Sequence, residues 1–293
     1  MASTPTRIAG GWDAAVQVTV VGSVNLDLVA ALPRLPQPGE TLTATGLNRV
    51  PGGKGANQAL ATRRLGLAVR LVAAVGTDPD ADSALELLRR EGVGLDRLQR
   101  VTDPTGLALI AVDTAGETTI TVVPGANAAL EVSAADVAGA DAVLTVLEVP
   151  DRAVAAAARH ATGLFVLNAA PARPVPSEVL RRADLVVANR AEFAALPDLR
   201  TAQALAVTDG PRGAVLLRHG RQVAAVTPPP VDAVDGTGAG DAFIAAAVAG
   251  LLNGLPDTEL LTRACAAGAL AATRPGAQPS LPTAAQLDEV LAR

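Results

Sequence analysis

The chain has no tyrosine, and aromatic side chains make up only 1% of its 293 residues. A core must therefore be packed from Ala, Val and Leu, which are plentiful in a composition that is 49% hydrophobic. There is one cysteine, Cys265, which excludes an internal disulfide and fits a reducing cytosol. No dense Lys/Arg cluster occurs and the net charge is −5, which argues against nucleic acid as a partner. Apolar runs are broken by Gly, Pro or charge well short of the ~20 residues that a membrane span needs. Residues 1–11 lack a charged start followed by an apolar core, so they are not a secretion signal. Residues 1–15 are expected to be a disordered lead-in. His160, His219 and Cys265 show neither metal-ligand spacing nor a nucleophile pattern. No G-x-S-x-G elbow is present, and Gly22-Ser23-Val24-Asn25 does not supply the dinucleotide fingerprint expected after a first strand. An NAD enzyme is thereby disfavoured.

What is present is alternation. Short Val/Leu/Ile runs end at Gly22, Glu148, Asn168, Asn189 and Asp209-Gly210, with helix-like segments between them, which predicts a mostly parallel sheet covered on both faces. Residues 28–31 and 41–45, separated by Pro33, Pro36, Pro38 and Gly39, predict two strands of a small separate β layer. Residues 106–113 and 118–123 predict a hairpin in the same layer. Asp151 is a plausible N-cap for a helix over 151–160. The connection from Asn189 to Leu205 barely exceeds the ~10–12 residues of a crossover with its helix, so that helix must be short.

The densest chemistry lies at Asp235-Gly236-Thr237-Gly238-Ala239-Gly240-Asp241, followed by an Ala-rich segment. A Gly-rich turn opening into a helix leaves backbone N–H groups unpaired and forms an anion site. Asp241 at its edge is an acid placed beside that site, as phosphoryl transfer requires. Asn25 and Asp27 suit sugar hydroxyls, or a plain polar turn. Gly52-Gly53-Lys54-Gly55-Ala56-Asn57 is not a P-loop, because Gly55 follows Lys54 and Asn48 stands where the earlier glycine belongs. It either brings backbone, Lys54 and Asn57 to a polar ligand or simply starts a helix. Glu148, Asn189 and Glu192 could handle hydroxyls or hydrated Mg²⁺, and Asn189 could equally be an N-cap. Thr208 to Gly213 is a turn that could meet nucleotide phosphates or ribose.

Seven pieces in order resemble the ribokinase subfamily of the PfkB carbohydrate kinases. They are G-S-V-N-L-D (22–27), G-G-K-G-A-N-Q (52–58), G-A-N-A-A-L (125–130), N-A-A-P-A-R (168–173), T-D-G-P-R-G (208–213), D-G-T-G-A-G-D (235–241) and T-R-P-G-A-Q-P-S (273–280). The resemblance implies a ribokinase-like three-layer α/β/α sandwich over 16–293, with a mostly parallel central sheet. It also implies a small β-sheet lid from about 28–45 and 106–123, through which family members form homodimers. The implied reaction is ATP-dependent phosphorylation of D-ribose at its 5-hydroxyl, with Mg²⁺ and a K⁺ activator. Asp241 would be the base, and the amides of Gly238, Ala239 and Gly240 would hold the moving phosphoryl. Asn25, Asp27, Gly53, Lys54, Gly55, Ala56, Asn57 and Glu148 would bind the sugar. Asn189 and Glu192 would organise phosphates and Mg²⁺. Thr208, Asp209, Gly210, Pro211, Arg212, Gly213 and Gly240 would contact ATP, with Cys265 lining the adenine pocket. Asp235, Thr237, Ala271, Arg274, Gly276 and Ser280 match the family's monovalent-cation site. Two departures stand out: Asn168-Ala169-Ala170 in place of Asn-Pro-Ala, and the shortened 189–208 connection on the nucleotide side. A sibling kinase for deoxyribose, another sugar or a nucleoside is the nearer alternative, and a non-catalytic sensor the farther one.

Overall fold

Val/Leu runs that alternate with Ala-rich runs become two sheets flanked by helices in the computed structural model, which describes residues 16–292. The lead-in over 1–15 lies outside those residues. In chain order the strands are β1 (Gln17–Val21), β2 (Asn25–Ala31), β3 (Gly46–Gly52), β4 (Ala68–Val75), β5 (Gly94–Arg100), β6 (Gly106–Val112), β7 (Thr118–Val123), β8 (Ala142–Val146), β9 (Leu164–Asn168), β10 (Leu185–Asn189), β11 (Ala204–Thr208), β12 (Ala214–Arg218) and β13 (Arg221–Val226). The helices are α1 (Lys54–Arg64), α2 (Pro79–Arg90), α3 (Ala134–Val137), α4 (Asp151–His160), α5 (Ser177–Arg182), α6 (Arg190–Ala195), α7 (Ala239–Leu252), α8 (Asp257–Ala271), α9 (Ala277–Ser280) and α10 (Ala284–Leu291).

The large sheet has nine strands in the order β13-β12-β11-β10-β9-β8-β1-β4-β5. Every pairing from β11 to β5 is parallel, and β12 and β13 close one edge as an antiparallel hairpin. Parallel strands buried on both faces need apolar runs rather than alternation; β8, Ala-Val-Leu-Thr-Val, is buried throughout. One face packs under α1, α2, α7, α8 and α10, and the other, with Phe165 at its centre, under α4 and α5. The molecule is thus a three-layer α/β/α sandwich with a second, smaller sheet. The small sheet has the order β3-β2-β6-β7; its central β2–β6 pairing is parallel and its two outer pairings are antiparallel.

The order in which strands are added to the large sheet reverses at β1, which has β4 on one side and β8 on the other. A crevice opens beyond the carboxyl ends of strands at such a reversal. The chain leaves β1 there, and after Gly22-Ser23-Val24 it enters the small sheet as β2.

Three sequence expectations change. Residues 41–45 form no strand, because β2 pairs with Gly46–Gly52, from Asn25 opposite Gly52 to Ala31 opposite Gly46. Asn25 and Asp27 are accordingly strand residues rather than a turn. Asp151 is the first helical residue of α4, and Pro150 holds the cap position without a side-chain bond. The short connection after Asn189 does hold a short helix, α6, followed by a 3₁₀ turn over Pro197–Thr201. These cover β11 and β12 incompletely and leave a cavity of ≈ 180 Å³ lined by Phe193, Arg200, Ala202, Leu205, Leu217 and Gly220.

Candidate active site

The site is assembled where α1 begins. Gly53 caps α1 at φ 88, in the left-handed region, and the chain then passes directly over the end of β1. A Cβ on Gly55 would lie 2.5 Å from the Gly22 carbonyl carbon and from the Ser23 nitrogen, so only glycine permits this crossing. The crossing is laced by hydrogen bonds. Ala56 N–H donates to the Ser23 carbonyl (2.9 Å) and Gly55 N–H to Ser23 Oγ (3.3 Å). Glu148, in the turn after β8, accepts on one oxygen from Ser23 Oγ and from the Lys54 N–H, the latter at 3.0 Å. Glu148 therefore fixes the Gly-Lys turn as well as placing charge near it.

Asp241, the third residue of α7, points into the same place and is only 5% exposed. Both of its oxygens are held by amides from α1: Asn57 Nδ2 donates to Oδ2 (3.0 Å) and Gln58 Nε2 to Oδ1 (2.9 Å). The carbonyl oxygens of the Asn57 and Gln58 side chains are buried without a partner. The turn before α7 reaches φ 81 at Gly238, and the Ala239 N–H already donates to the Gly236 carbonyl at 3.2 Å. Of the three amides expected to hold a phosphoryl group, Ala239 is thus committed within the turn, which leaves those of Gly238 and Gly240.

Asn25 and Asp27 alternate along β2, so both face one side of the small sheet. Burial pushes the Asp27 carboxyl up to about 7, helped by the negative charges of Glu148 and Asp241 and opposed by Lys54. One Asp27 oxygen is buried with no partner. Burial alone would drive Lys54 toward neutrality, yet the surrounding carboxylates of Asp241, Glu148, Glu192 and Asp27 raise its affinity for a proton. Lys54 is thus the cation set among these four carboxylates.

On the far side, Asn189 and Glu192 are spent largely on each other. Asn189 Oδ1 accepts from Glu192 N–H (2.8 Å) and Glu192 Oε2 accepts from Asn189 N–H (2.7 Å), a capping box that starts α6. Burial raises the Glu192 carboxyl against that bond and the charge of Lys54. In Thr208 to Gly213, the Asp209 carboxylate is gripped by Arg212 (2.6 Å) and Arg190 (2.7 Å), which holds it down at about 2. Cys265 is buried in α8 facing β13, and burial pushes its thiol up to about 11, which makes it a wall and not a nucleophile.

The loop before α7 is tied to the end of α8. The N–H groups of Val234 and Asp235 donate to the Ala272 carbonyl (2.8 and 3.1 Å). Asp235 accepts from Thr237 Oγ1 (2.6 Å), Thr237 N–H (2.8 Å) and Gly276 N–H (2.7 Å). These bonds outweigh burial and hold its carboxyl below the usual range. The Ala271 carbonyl meets the Arg274 N–H at 3.4 Å, and Ser280 Oγ donates to the Ala277 carbonyl at 2.8 Å. Among the described residues no three His, Cys, Asp or Glu side chains gather as a metal cage. The carbonyl, hydroxyl and carboxylate oxygens gathered here are of the class that suits hard cations.

Four residues with a part in this geometry carry no role in the sequence reading. Gln58 holds Asp241, Ser23 holds Glu148, and Asn127 grips Val24 and Asn25. Arg64, at the other end of α1, donates to the carbonyls of Gln278 (2.7 Å) and Leu281 (2.8 Å) and pairs with Glu91. Gln58, Ser23 and Asn127 all lie inside the motif pieces, which is the signal that could have found them.

Comparison with known proteins places this arrangement. A ribokinase of Bacillus subtilis is 34% identical over 290 residues, covering 94% of this chain and 99% of that protein. The ribokinase structure from Thermotoga maritima superposes with a TM-score of 0.86 at 30% identity, covering 95% of this chain and 100% of its own. A ribokinase structure from Arabidopsis thaliana, complexed with ribose and ATP, gives a TM-score of 0.85 at 29% identity, covering 95% and 99%. The family model described as pfkB family carbohydrate kinase matches residues 16–284, and this chain belongs to that family.

Proposed function

We propose that this protein transfers the γ-phosphoryl group of ATP to the 5-hydroxyl of D-ribose. The reading rests on one observation. A buried carboxylate at a helix N-terminus, Asp241, is aimed by two amides into a pocket shared with Asn25, Asp27 and Lys54. The likeness to ribokinases over nearly the whole chain supports ribose as the acceptor.

In this reading Asn25, Asp27, Lys54, Asn57 and Glu148 hold the sugar, with the Gly53–Ala56 backbone beneath it. The 5-hydroxyl oxygen attacks the γ-phosphorus, its proton passes to Asp241, and the bond to the bridging oxygen breaks to release ADP. Positioning and charge stabilisation carry most of the acceleration in such transfers. The amides of Gly238 and Gly240 and the N-terminus of α7 receive the moving phosphoryl. Thr208 to Gly213 and Cys265 line the nucleotide side. Asn189 and Glu192 would hold the waters of a Mg²⁺ ion bound to the ATP phosphates, and that ion would neutralise phosphate charge. A potassium ion at Asp235, Thr237, Ala271, Arg274, Gly276 and Ser280 would stiffen the loop beneath Asp241. The small sheet acts as a lid, and its exposed apolar residues, among them Leu47 (63% exposed) and Ile120 (57%), dock on a second copy of the chain.

The test is ADP release over pentoses, hexoses and nucleosides, in potassium and in tetramethylammonium. The expected result is the highest kcat/KM with ribose and faster turnover in potassium. A better nucleoside or hexose would overturn the substrate, and equal rates in both salts would overturn the cation.

A further inference from the structure

Asn127 grips the backbone of the three-residue segment that joins the two sheets. Asn127 lies in the 3₁₀ turn Gly125–Ala129 and is buried. Its Oδ1 accepts from the Val24 N–H (2.9 Å), and its Nδ2 donates to the Val24 carbonyl (3.1 Å). A backbone N–H only donates and a backbone carbonyl only accepts. These two bonds therefore settle which end of the Asn127 amide is oxygen.

The same Nδ2 lies 2.8 Å from the side-chain oxygen of Asn25. A donor there demands an acceptor, so the Asn25 carbonyl must face Asn127 and its NH₂ must turn the other way. Space for the pair is built into the fold. Gly106, opposite Asn25 in β6, has no side chain, and a Cβ there would collide with both amides. Asn57 shows the complementary polarity: its NH₂ is bound to Asp241 and its carbonyl oxygen is left over, buried.

We propose that Asn127 is a positioning residue that sets the polarity of the sugar site. By holding the Asn25 carbonyl, it makes Asn25 a hydrogen-bond donor to the sugar, against the acceptors Asp27 and Asn57. The inference rests on the sugar-kinase reading above and deepens it. The sugar oxygen facing Asn25 accepts, and the hydroxyls facing Asp27 and Asn57 donate. A buried donor without an acceptor is costly, so a sugar lacking the hydroxyl that faces Asn25 is discriminated against.

The experiment is a double-mutant cycle on Asn25 and Asn127, with KM measured separately for ribose and for ATP. Asn127→Asp keeps the shape and the bond from Val24 N–H but replaces the orienting donor with an acceptor, which favours a flipped Asn25. It is expected to raise the ribose KM about tenfold while the ATP KM stays within about twofold. On an Asn25→Ala background the same change is expected to alter the ribose KM severalfold less, because only the lost bond to the Val24 carbonyl remains. Asn127→Ala, which introduces no charge, runs through the same cycle in case Asn127→Asp folds poorly. Equal effects in both backgrounds, or a loss in kcat or ATP KM with the ribose KM unmoved, would overturn the inference alone. A wild-type protein that phosphorylates no sugar would overturn the kinase reading and the inference together.

Discussion

Asp27 bears the electrostatic strain of the site. Its folded value near 7 lies well above its ordinary value of 3.8, so between these the native state binds more protons than the unfolded chain. Its contribution to stability is then full below about pH 4 and is lost as pH rises through about 7. Asp27→Asn should melt higher than wild type near pH 8, with the gap closing only by about pH 4. A gap independent of pH would show that Asp27 stays ionised throughout. Asp241→Asn should lower turnover by roughly 10²–10⁴ with the sugar KM little changed, since a positioned base contributes on that order. Near-normal turnover in that variant would remove Asp241 as the base. The groups that touch ligands are legible in the sequence because they sit in dense motifs. The groups that aim them lie in the same motifs, but their partners are not legible, because the bonds span 103 residues for Asn127 to Val24 and 183 for Gln58 to Asp241. Only the fold reveals such partners.

The crossing of α1 over β1 is the element-level feature on which the site depends. Gly55→Ala would push a methyl group into the Gly22 and Ser23 backbone, where no flexible side chain can yield. It should cost roughly 2–3 kcal/mol in denaturant unfolding, as overpacking does. Unchanged stability would mean that the crossing has room. Buried strands such as β1, β8 and β10 are readable as Val/Leu runs because both of their faces are covered. Edge strands are not. β5, Gly-Leu-Asp-Arg-Leu-Gln-Arg, is polar and half-covered at the end of the large sheet. β3 contains Asn48 and Pro51, which an edge tolerates, while the Thr-rich residues 41–45 look more strand-like and pair with nothing along a ladder. Pairing with β2 decided between them. The shortness of α6 was readable by counting residues, but the cavity it leaves over β11 and β12 was not, because it depends on what the other elements fill.

Across the described residues, exposed large apolar side chains gather mostly on the small sheet, with Val223, Val231 and Val234 elsewhere. β7 is exposed along its length; its Ile120 and Val122 share the sheet face of Asn25 and Asp27, whereas Val123, Leu109 on the adjoining β6 and Leu47 on the far edge strand β3 share the opposite face. Exposed apolar side chains on both faces of so small a sheet mark an interaction site. Wild-type protein should elute as a dimer in size-exclusion chromatography with light scattering, and Ile120→Glu should shift it to monomer. A monomeric wild type would remove the second copy from the proposal. The packing beneath has an optical character of its own. The chain has no tyrosine and one tryptophan, Trp12, which lies outside residues 16–292. The aromatics of the two-sheet body are Phe165, Phe193 and Phe243, so it carries neither indole nor phenol fluorescence. With Trp12 replaced, a single tryptophan introduced at a small-sheet position would shine against a dark protein, and its emission would report that sheet alone.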